Sequence, residues 1–168
     1  MNSHDKILII RLSAIGDVVF ASPLIKALRF TYPKAHISWL VESGAASLLM
    51  NNAHLDKVIV LPRAQWKKLW HQRRFLQLYR EIKYFTTMLR NQGFDIALDL
   101  QGLLKSGIWA FLSGAKIRIG LGSKEGSKYL MTRLVGNQLL QSEWWKQNVQ
   151  KLKKTRKDIK SIAKIMES

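Results

Sequence analysis

Cysteine is absent from this 168-residue sequence, so neither disulfide bonds nor thiolate chemistry contribute to its structure. No apolar run approaches the roughly 20 residues of a membrane-spanning helix. The first residues, MNSHDK, lack the basic and long apolar segments of a cleavable signal peptide. We therefore expect a cytoplasmic protein.

Acidic residues are scarce: 11 of them stand against 28 lysines and arginines, which gives a net charge of +17. Such an excess favours polyanionic partners, namely nucleic acid, anionic lipid head groups or phosphorylated sugars. A basic surface without a specific partner is the alternative. An apolar fraction of 47% excludes global disorder, and the length fits about one domain with a real core.

Several motifs for cofactors and metals are also missing. The sequence has neither the G-x-G-x-x-G dinucleotide fingerprint after its first strand nor a G-x-x-x-x-G-K-[ST] phosphate loop. The four histidines are scattered without metal-ligand spacing, and no Ser/His/Asp arrangement is visible. We expect no cofactor and no metal.

Short apolar runs alternate with helical patterns along most of the chain. The first, from Lys6 to Leu12, is rich in β-branched residues and typical of a strand that is buried on both faces. A small-residue turn and a helical pattern from Val18 follow it, with Pro23 in a first helical turn. Four more strands are predicted, at Ile37–Val41, Val58–Leu61, Asp95–Leu100 and Ile117–Ile119. This rhythm predicts an α/β fold with a doubly wound, Rossmann-like parallel sheet.

Asp17 is a lone carboxylate in the turn after the first strand, where open parallel sheets bind ligands. One interpretation makes it a helix-start residue that caps the helix or complements its dipole. The other makes it a general base facing a ligand. The cluster Asp99–Ser106 (DLQGLLKS) leaves another strand at the same edge, either as a functional cluster or as a satisfied glycine turn.

Between Arg63 and Arg90 basic and aromatic residues are interleaved, as in Trp66-Lys67-Lys68-Leu69-Trp70. Aromatics with cations stack on bases or sugars and pair with phosphates, and composition does not decide between these. We expect Ala64–Arg74 to be a basic excursion at the mouth of the crevice. The later positions have helical spacing and predict a helix that packs on the sheet: Phe75, Leu76, Tyr79, Ile82, Phe85 and Leu89.

Two further segments stand near the end of the chain. The glycine-rich loop Gly120–Gly126, with Lys124, is either an anion site or an ordinary surface loop. From about Asn137 the composition changes to a lysine-rich tail, for which we predict a solvated basic helix. The predicted organisation is one Rossmann-like domain at 1–136 and a basic helical tail at 137–168, a possible non-native continuation of a truncated gene.

Taken together, these motifs resemble the lipopolysaccharide heptosyltransferases of glycosyltransferase family 9, heptosyltransferase I in particular. The resemblance is carried by RLSAIGDVVFASPLIKALR, by YPKAHISWLVES, by the D-x-Q-G-L-x-K-S pattern at Asp99–Ser106 and by the glycine-rich loop. It covers residues 5 to 135.

The resemblance implies the N-terminal half of a GT-B fold and metal-independent, inverting transfer of L-glycero-D-manno-heptose. The donor would be ADP-heptose and the acceptor Kdo of the lipopolysaccharide inner core. By motif match, Asp17 is the general base, and the acceptor-binding residues are Ser13, Gly16, Lys67, Lys68, Gln101 and Lys105. The implied setting is the inner face of the inner membrane, with peripheral contact to anionic lipid.

Members of the family are considerably longer than this chain, and their C-terminal domain binds the donor. The expectation is therefore a truncated or frameshifted product, or half of a split enzyme with a separate C-terminal polypeptide, that has negligible transferase activity alone. Two alternatives stay open. One is a family 9 transferase that adds a later heptose, and the other, less favoured, is a nucleic-acid-binding module that uses residues 63–90 and the tail.

Overall fold

The structure is a computed structural model, and it describes residues 6–121 and 126–135. Its strands are β1 (Lys6–Ile10), β2 (His36–Glu42), β3 (Lys57–Leu61), β4 (Ile96–Asp99), β5 (Ile117–Leu121) and β6 (Arg133–Val135). Its α-helices are α1 (Ile15–Ala21), α2 (Pro23–Thr31), α3 (Ser43–Ala46), α4 (Arg63–His71), α5 (Phe75–Asn91) and α6 (Leu104–Leu112). A 3-10 turn spans Ser127–Leu130.

The six strands form one sheet in the order β3-β2-β1-β4-β5-β6, and the first five run parallel. At the carboxyl end of β1, Ile10 is in register with Leu40 of β2 and Asp99 of β4. Strands β2 and β4 lie on opposite sides of β1, so the strand order reverses between β1 and β4. Ligands bind at such a reversal in folds of this kind. The predicted α/β class and doubly wound sheet are confirmed.

The central strand β1 is buried on both faces. Its odd-numbered residues Ile7 and Ile9 pack with Val18 and Ile25 from α1 and α2. Its even-numbered residues Leu8 and Ile10 pack into a second core that α5 and α6 contribute to. Since neighbouring side chains of a strand point to opposite faces, the continuous apolar run has a layer of helices on each side.

The helices after β1 and β2 differ from the prediction. The single helix expected from Val18 is divided at Ser22 into α1 and α2, with Pro23 at the start of α2. Proline lacks the N–H that a continuing helix would need, and the first helical position tolerates that loss. The helix expected from Ala45 to Met50 is only the single turn α3. Neither β6 nor the 3-10 turn was predicted.

Helix α5 begins and ends close to the predicted positions, but only part of its apolar stripe faces the sheet. Phe85 and Leu89 are buried. Phe75, Leu76 and Tyr79 are 53%, 66% and 61% exposed, so the prediction that they pack on the sheet is wrong. The first two turns of α5 therefore carry apolar residues that the core does not use.

The segment expected to be a basic excursion is a regular helix, α4, and its first tryptophan is part of the protein interior. The ring of Trp66 stacks on Trp109 at 5.6 Å and meets the edge of Phe85 at 5.5 Å. Trp66 is thus partly buried and packs against the core. Trp70, by contrast, is 61% exposed.

Some predicted features lie outside the described residues. These are the N-terminal residues 1–5, most of the glycine-rich loop (residues 122–125) and the basic helix expected at 137–168. By its internal contacts the chain divides into Met1–Leu134 and Val135–Ser168, and only Val135 of the second unit is described. Among the helices that the structure describes, none is long and apolar enough to cross a membrane.

A leucine-to-alanine substitution should change the free energy of unfolding by very different amounts on the two faces of α5. Leu89→Ala removes a fully buried side chain and should lower the free energy of unfolding by about 2–5 kcal/mol. Leu76→Ala, on the exposed face, should change it by less than about 0.5 kcal/mol. Urea denaturation of both variants measures the difference. Equal losses would mean that the two faces of α5 are wrongly assigned.

Candidate active site

The loops that follow β1 and β4 run side by side at the carboxyl edge of the sheet, where the strand order reverses. The N–H of Leu100 donates to the carbonyl of Ile10 at 3.0 Å, which extends the strand pairing beyond β4. The side-chain Oε1 of Gln101 accepts the N–H of Leu12 at 3.0 Å. Gln101 thus ties the two loops together through its side chain.

Arg11, the first residue after β1, makes a second connection between these loops. Its guanidinium pairs with the carboxylate of Asp17 and donates from Nη1 to the carbonyl of Leu100 at 2.7 Å. The Arg11 side chain is 18% exposed and that of Asp17 is 50% exposed. The guanidinium therefore lies below the surface and fixes the direction of a carboxylate that half faces solvent.

Asp17 lies in the first turn of α1, as one of the two sequence interpretations required. It is not the capping residue, because the N-cap position is Ala14 and no side chain caps this helix. A negative charge in the first turn is favourable to a helix, and the pairing with Arg11 adds to this. Half of the Asp17 side chain remains exposed to solvent despite this pairing.

The surface beside Asp17 is open. A Cβ built on Gly16 would meet no heavy atom within 4 Å, and the backbone there does not have a positive φ. Neither packing nor backbone conformation thus requires glycine at this position. Its lack of a side chain leaves room for a ligand to approach the carboxylate of Asp17.

Asp99 ends β4 and is completely buried. Its Oδ1 accepts the backbone N–H groups of Gln101 at 3.0 Å and Gly102 at 3.1 Å, and Ser106 Oγ lies 3.0 Å from its Oδ2. Gly102 has a φ of +67°, a conformation that glycine adopts without steric cost. The sequence interpretation of this cluster as a satisfied glycine turn agrees with these contacts.

Burial raises the pKa of Asp99, and the hydrogen bonds from Gly102 and Ser106 oppose that rise only in part. The hydroxyl of Ser106 is also 2.8 Å from the carbonyl of Leu103, and its single proton can serve only one of the two acceptors. When Asp99 is protonated, its Oδ2 donates to Ser106 Oγ while Ser106 donates to Leu103. Both groups are then satisfied.

The remaining predicted residues lie in the β1 loop and on two of the helices that follow strands. Lys105 is half-buried in the first turn of α6, and Ser13 is half-buried in the β1 loop. Lys67 and Lys68 are exposed on α4, whose first residue Arg63 pairs with Glu42 at the end of β2 at 2.7 Å. Helix α4 follows β3, which lies two strands, or about 10 Å, from β1.

The sequence analysis missed the role of Arg11 and the burial of Asp99. A signal existed for both, since each is a charged residue directly at the end of an apolar strand. The partners of Asp99 are two to seven residues away in the chain, whereas Leu100, which Arg11 binds, is 89 residues away. Within residues 6–121 and 126–135 no group of three or more histidine, aspartate or glutamate side chains could hold a metal ion.

The model of glycosyltransferase family 9 (heptosyltransferase) matches residues 82–156. Lipopolysaccharide heptosyltransferase 1 of Escherichia coli K12 is 27% identical over 128 residues, which are 76% of this chain and 37% of that protein. The enzyme of the same name from Pseudomonas aeruginosa is 30% identical over 108 residues, 60% of this chain and 28% of its own length.

The solved structure of the E. coli heptosyltransferase WaaC with ADP superimposes with a TM-score of 0.67 at 25% identity. The match covers 78% of this chain and 41% of that one. The chain is thus similar, in sequence and in fold, to heptosyltransferases of glycosyltransferase family 9. It spans between a quarter and two fifths of the length of these curated relatives. The resemblance that the motifs carried is thereby confirmed.

Asp99 gives a test of the turn that closes this site. Asp99→Ala leaves the N–H groups of Gln101 and Gly102 without their acceptor, and it should cost about 2–4 kcal/mol of unfolding free energy. Asp99→Asn keeps that acceptor and can donate to Ser106, so it should cost less than about 1 kcal/mol.

The pH dependence of the same variants has a defined sign. Because the folded pKa of Asp99 is above its unfolded value of 3.8, the folded state binds the extra proton. The stability from this group is therefore fully present below the unfolded pKa and is lost as the pH rises through the folded pKa. Urea denaturation from pH 3.5 to 7 should show this loss in the difference between wild type and Asp99→Asn. A flat difference would contradict it.

Proposed function

We propose that this domain is the acceptor side of a heptosyltransferase that transfers L-glycero-D-manno-heptose from ADP-heptose to Kdo of the lipopolysaccharide inner core. The reaction joins an acceptor hydroxyl oxygen to C1 of the heptose and breaks the bond from C1 to the phosphate oxygen of ADP. ADP leaves with that bond's electron pair, and the configuration at C1 inverts. The proposed reaction is metal-independent: Asp17 supplies the base, and basic side chains would stabilise the charge of the diphosphate leaving group.

In this proposal Asp17 accepts the proton of the attacking hydroxyl. A general base must have a carboxylate that is directed and accessible, and Asp17 combines both, since Arg11 orients it while half of the side chain stays exposed. This pairing at the point where the strand order reverses is the observation that carries the proposal. The open surface at Gly16 supports it.

The acceptor is anionic, and the cations at the same edge would bind it. Lys67 and Lys68 are exposed on α4, and Lys105 stands at the start of α6. Ser13, Gly16 and Gln101 line the β1 and β4 loops and would contact the sugar hydroxyls. The reaction would take place at the cytoplasmic face of the inner membrane, where such an acceptor is held.

The chain corresponds to only part of the curated relatives, so the proposal is tested in a chimera with one of them. Residues 6–121 replace the corresponding segment of the E. coli heptosyltransferase, and transfer from ADP-heptose to Kdo-lipid A is measured. Asp17→Asn should lower kcat by about 10²–10⁴-fold, the usual contribution of a general base, and change KM for the acceptor less than about threefold.

Asp56→Asn is the matched control. Asp56 also pairs with an arginine, Arg29, but it lies just before β3, at the opposite edge of the sheet. Its substitution should leave kcat within about twofold. A kcat that is unchanged by Asp17→Asn, in a chimera that transfers heptose, would exclude Asp17 as the base.

A further inference from the structure

Trp39 lies in the middle of β2 and is completely buried. Its register partner is Ile9 of β1, and both side chains belong to the core that α1 and α2 contribute to. The indole N–H is the only hydrogen-bonding group of this side chain, and it donates to the carbonyl of Arg11 at 3.2 Å. A buried tryptophan is thus joined to the first residue beyond β1.

The carbonyl of Arg11 needs this donor because the pairing of β1 with β2 shifts by one residue there. The N–H of Arg11 donates to the carbonyl of Leu40 at 3.3 Å. The next bond of a regular parallel ladder would therefore run from the N–H of Glu42 to the carbonyl of Arg11. The N–H of Glu42 donates instead to the carbonyl of Leu12, at 2.9 Å. The indole of Trp39 takes the place of the missing ladder donor.

The one-residue shift lets Leu12 bond to both neighbours of β1. Its carbonyl accepts the N–H of Glu42, and its own N–H donates to Oε1 of Gln101. Arg11 is held through its N–H, its carbonyl and its guanidinium, the last by the pairing with Asp17. The direction of the Arg11 side chain therefore depends on the shift.

We propose that Trp39 is a positioning residue for the transfer reaction, because its indole N–H maintains the shift that directs Arg11 at Asp17. This inference rests on the proposed function, in which Asp17 is the base. Without the indole, the carbonyl of Arg11 can take the N–H of Glu42 and restore the regular ladder. A change of one residue in strand pairing redirects the side chains that follow it.

The chimera with the E. coli enzyme tests this role. Trp39→Phe keeps an aromatic ring in the core and removes the indole N–H. It should lower kcat about tenfold or more, because a small displacement of a reacting group is costly, and change KM for the acceptor less than about threefold. Replacement of Trp39 by β-(3-benzothienyl)alanine keeps the shape of tryptophan with sulfur in place of the N–H. It should lower kcat to a similar extent, which separates the loss of the donor from the loss of volume.

Trp66→Phe is the matched control. The Nε1 of Trp66 is also buried, but it has no hydrogen-bond partner among the residues that the structure describes. The same change of ring there removes no hydrogen bond, so it should leave kcat within about twofold.

Action through Arg11 predicts that the effects of two substitutions do not multiply. In the Arg11→Gln background the guanidinium is already absent, so its direction no longer matters. Trp39→Phe should then lower kcat further by less than about twofold.

Amide hydrogen exchange of the full-length chain tests the backbone contact without any transfer reaction. Exchange at the N–H of Leu12 should be at least about tenfold faster in Trp39→Phe than in Trp66→Phe. The comparison is made relative to Leu8, in the middle of β1, so that a general loss of stability cancels.

Three results would overturn the role of Trp39 and leave the proposed function intact. The first is an equal kcat for the Trp39 and Trp66 variants of a chimera that Asp17→Asn inactivates. The second is unchanged exchange at Leu12, and the third is a full additional loss of kcat in the Arg11→Gln background. An unchanged kcat for Asp17→Asn would instead contradict the proposed function, and the role of Trp39 with it.

Discussion

The guanidinium of Arg11 is the contact on which the candidate site depends. It is mostly buried between the loops that follow β1 and β4, where it pairs with Asp17 and donates to the carbonyl of Leu100. A charge below the surface is stable only with such partners, so the position of Arg11 fixes both loops at once. The carboxylate of Asp17 consequently has a defined direction, which is the preorganisation that the proposed proton transfer requires.

The rest of the sheet supports this contact. Because β1 and β4 are parallel neighbours, their carboxyl ends meet, and the loops that follow them are forced together. The indole N–H of Trp39 donates to the carbonyl of Arg11 at 3.2 Å, and the buried Asp99 holds the turn at Gln101 and Gly102. Gln101 in turn binds the N–H of Leu12. Polar groups at the strand ends thus specify one arrangement of the two loops.

The local patterns of the sequence predict much of this fold. The apolar run of β1, the glycine turn and the position of Asp17 in a first helical turn follow from residues that are neighbours in the chain. The exposure of Phe75 and Tyr79 does not, because helical spacing marks a stripe without showing which part of it meets the sheet. The packing of Trp66 on Trp109 and the pairing of Arg11 with the Leu100 loop join residues far apart in sequence. They depend on the strand order and could not be predicted from composition.

A double-substitution cycle measures most directly whether Arg11 acts through Asp17. In the chimera with the E. coli enzyme, transfer would be measured for Arg11→Gln, Asp17→Asn and the double variant, each checked for folding by circular dichroism. We expect Arg11→Gln to lower kcat about tenfold or more, and the double variant to be no slower than Asp17→Asn alone. Losses that multiply would contradict this, because they would mean that the two residues contribute independently.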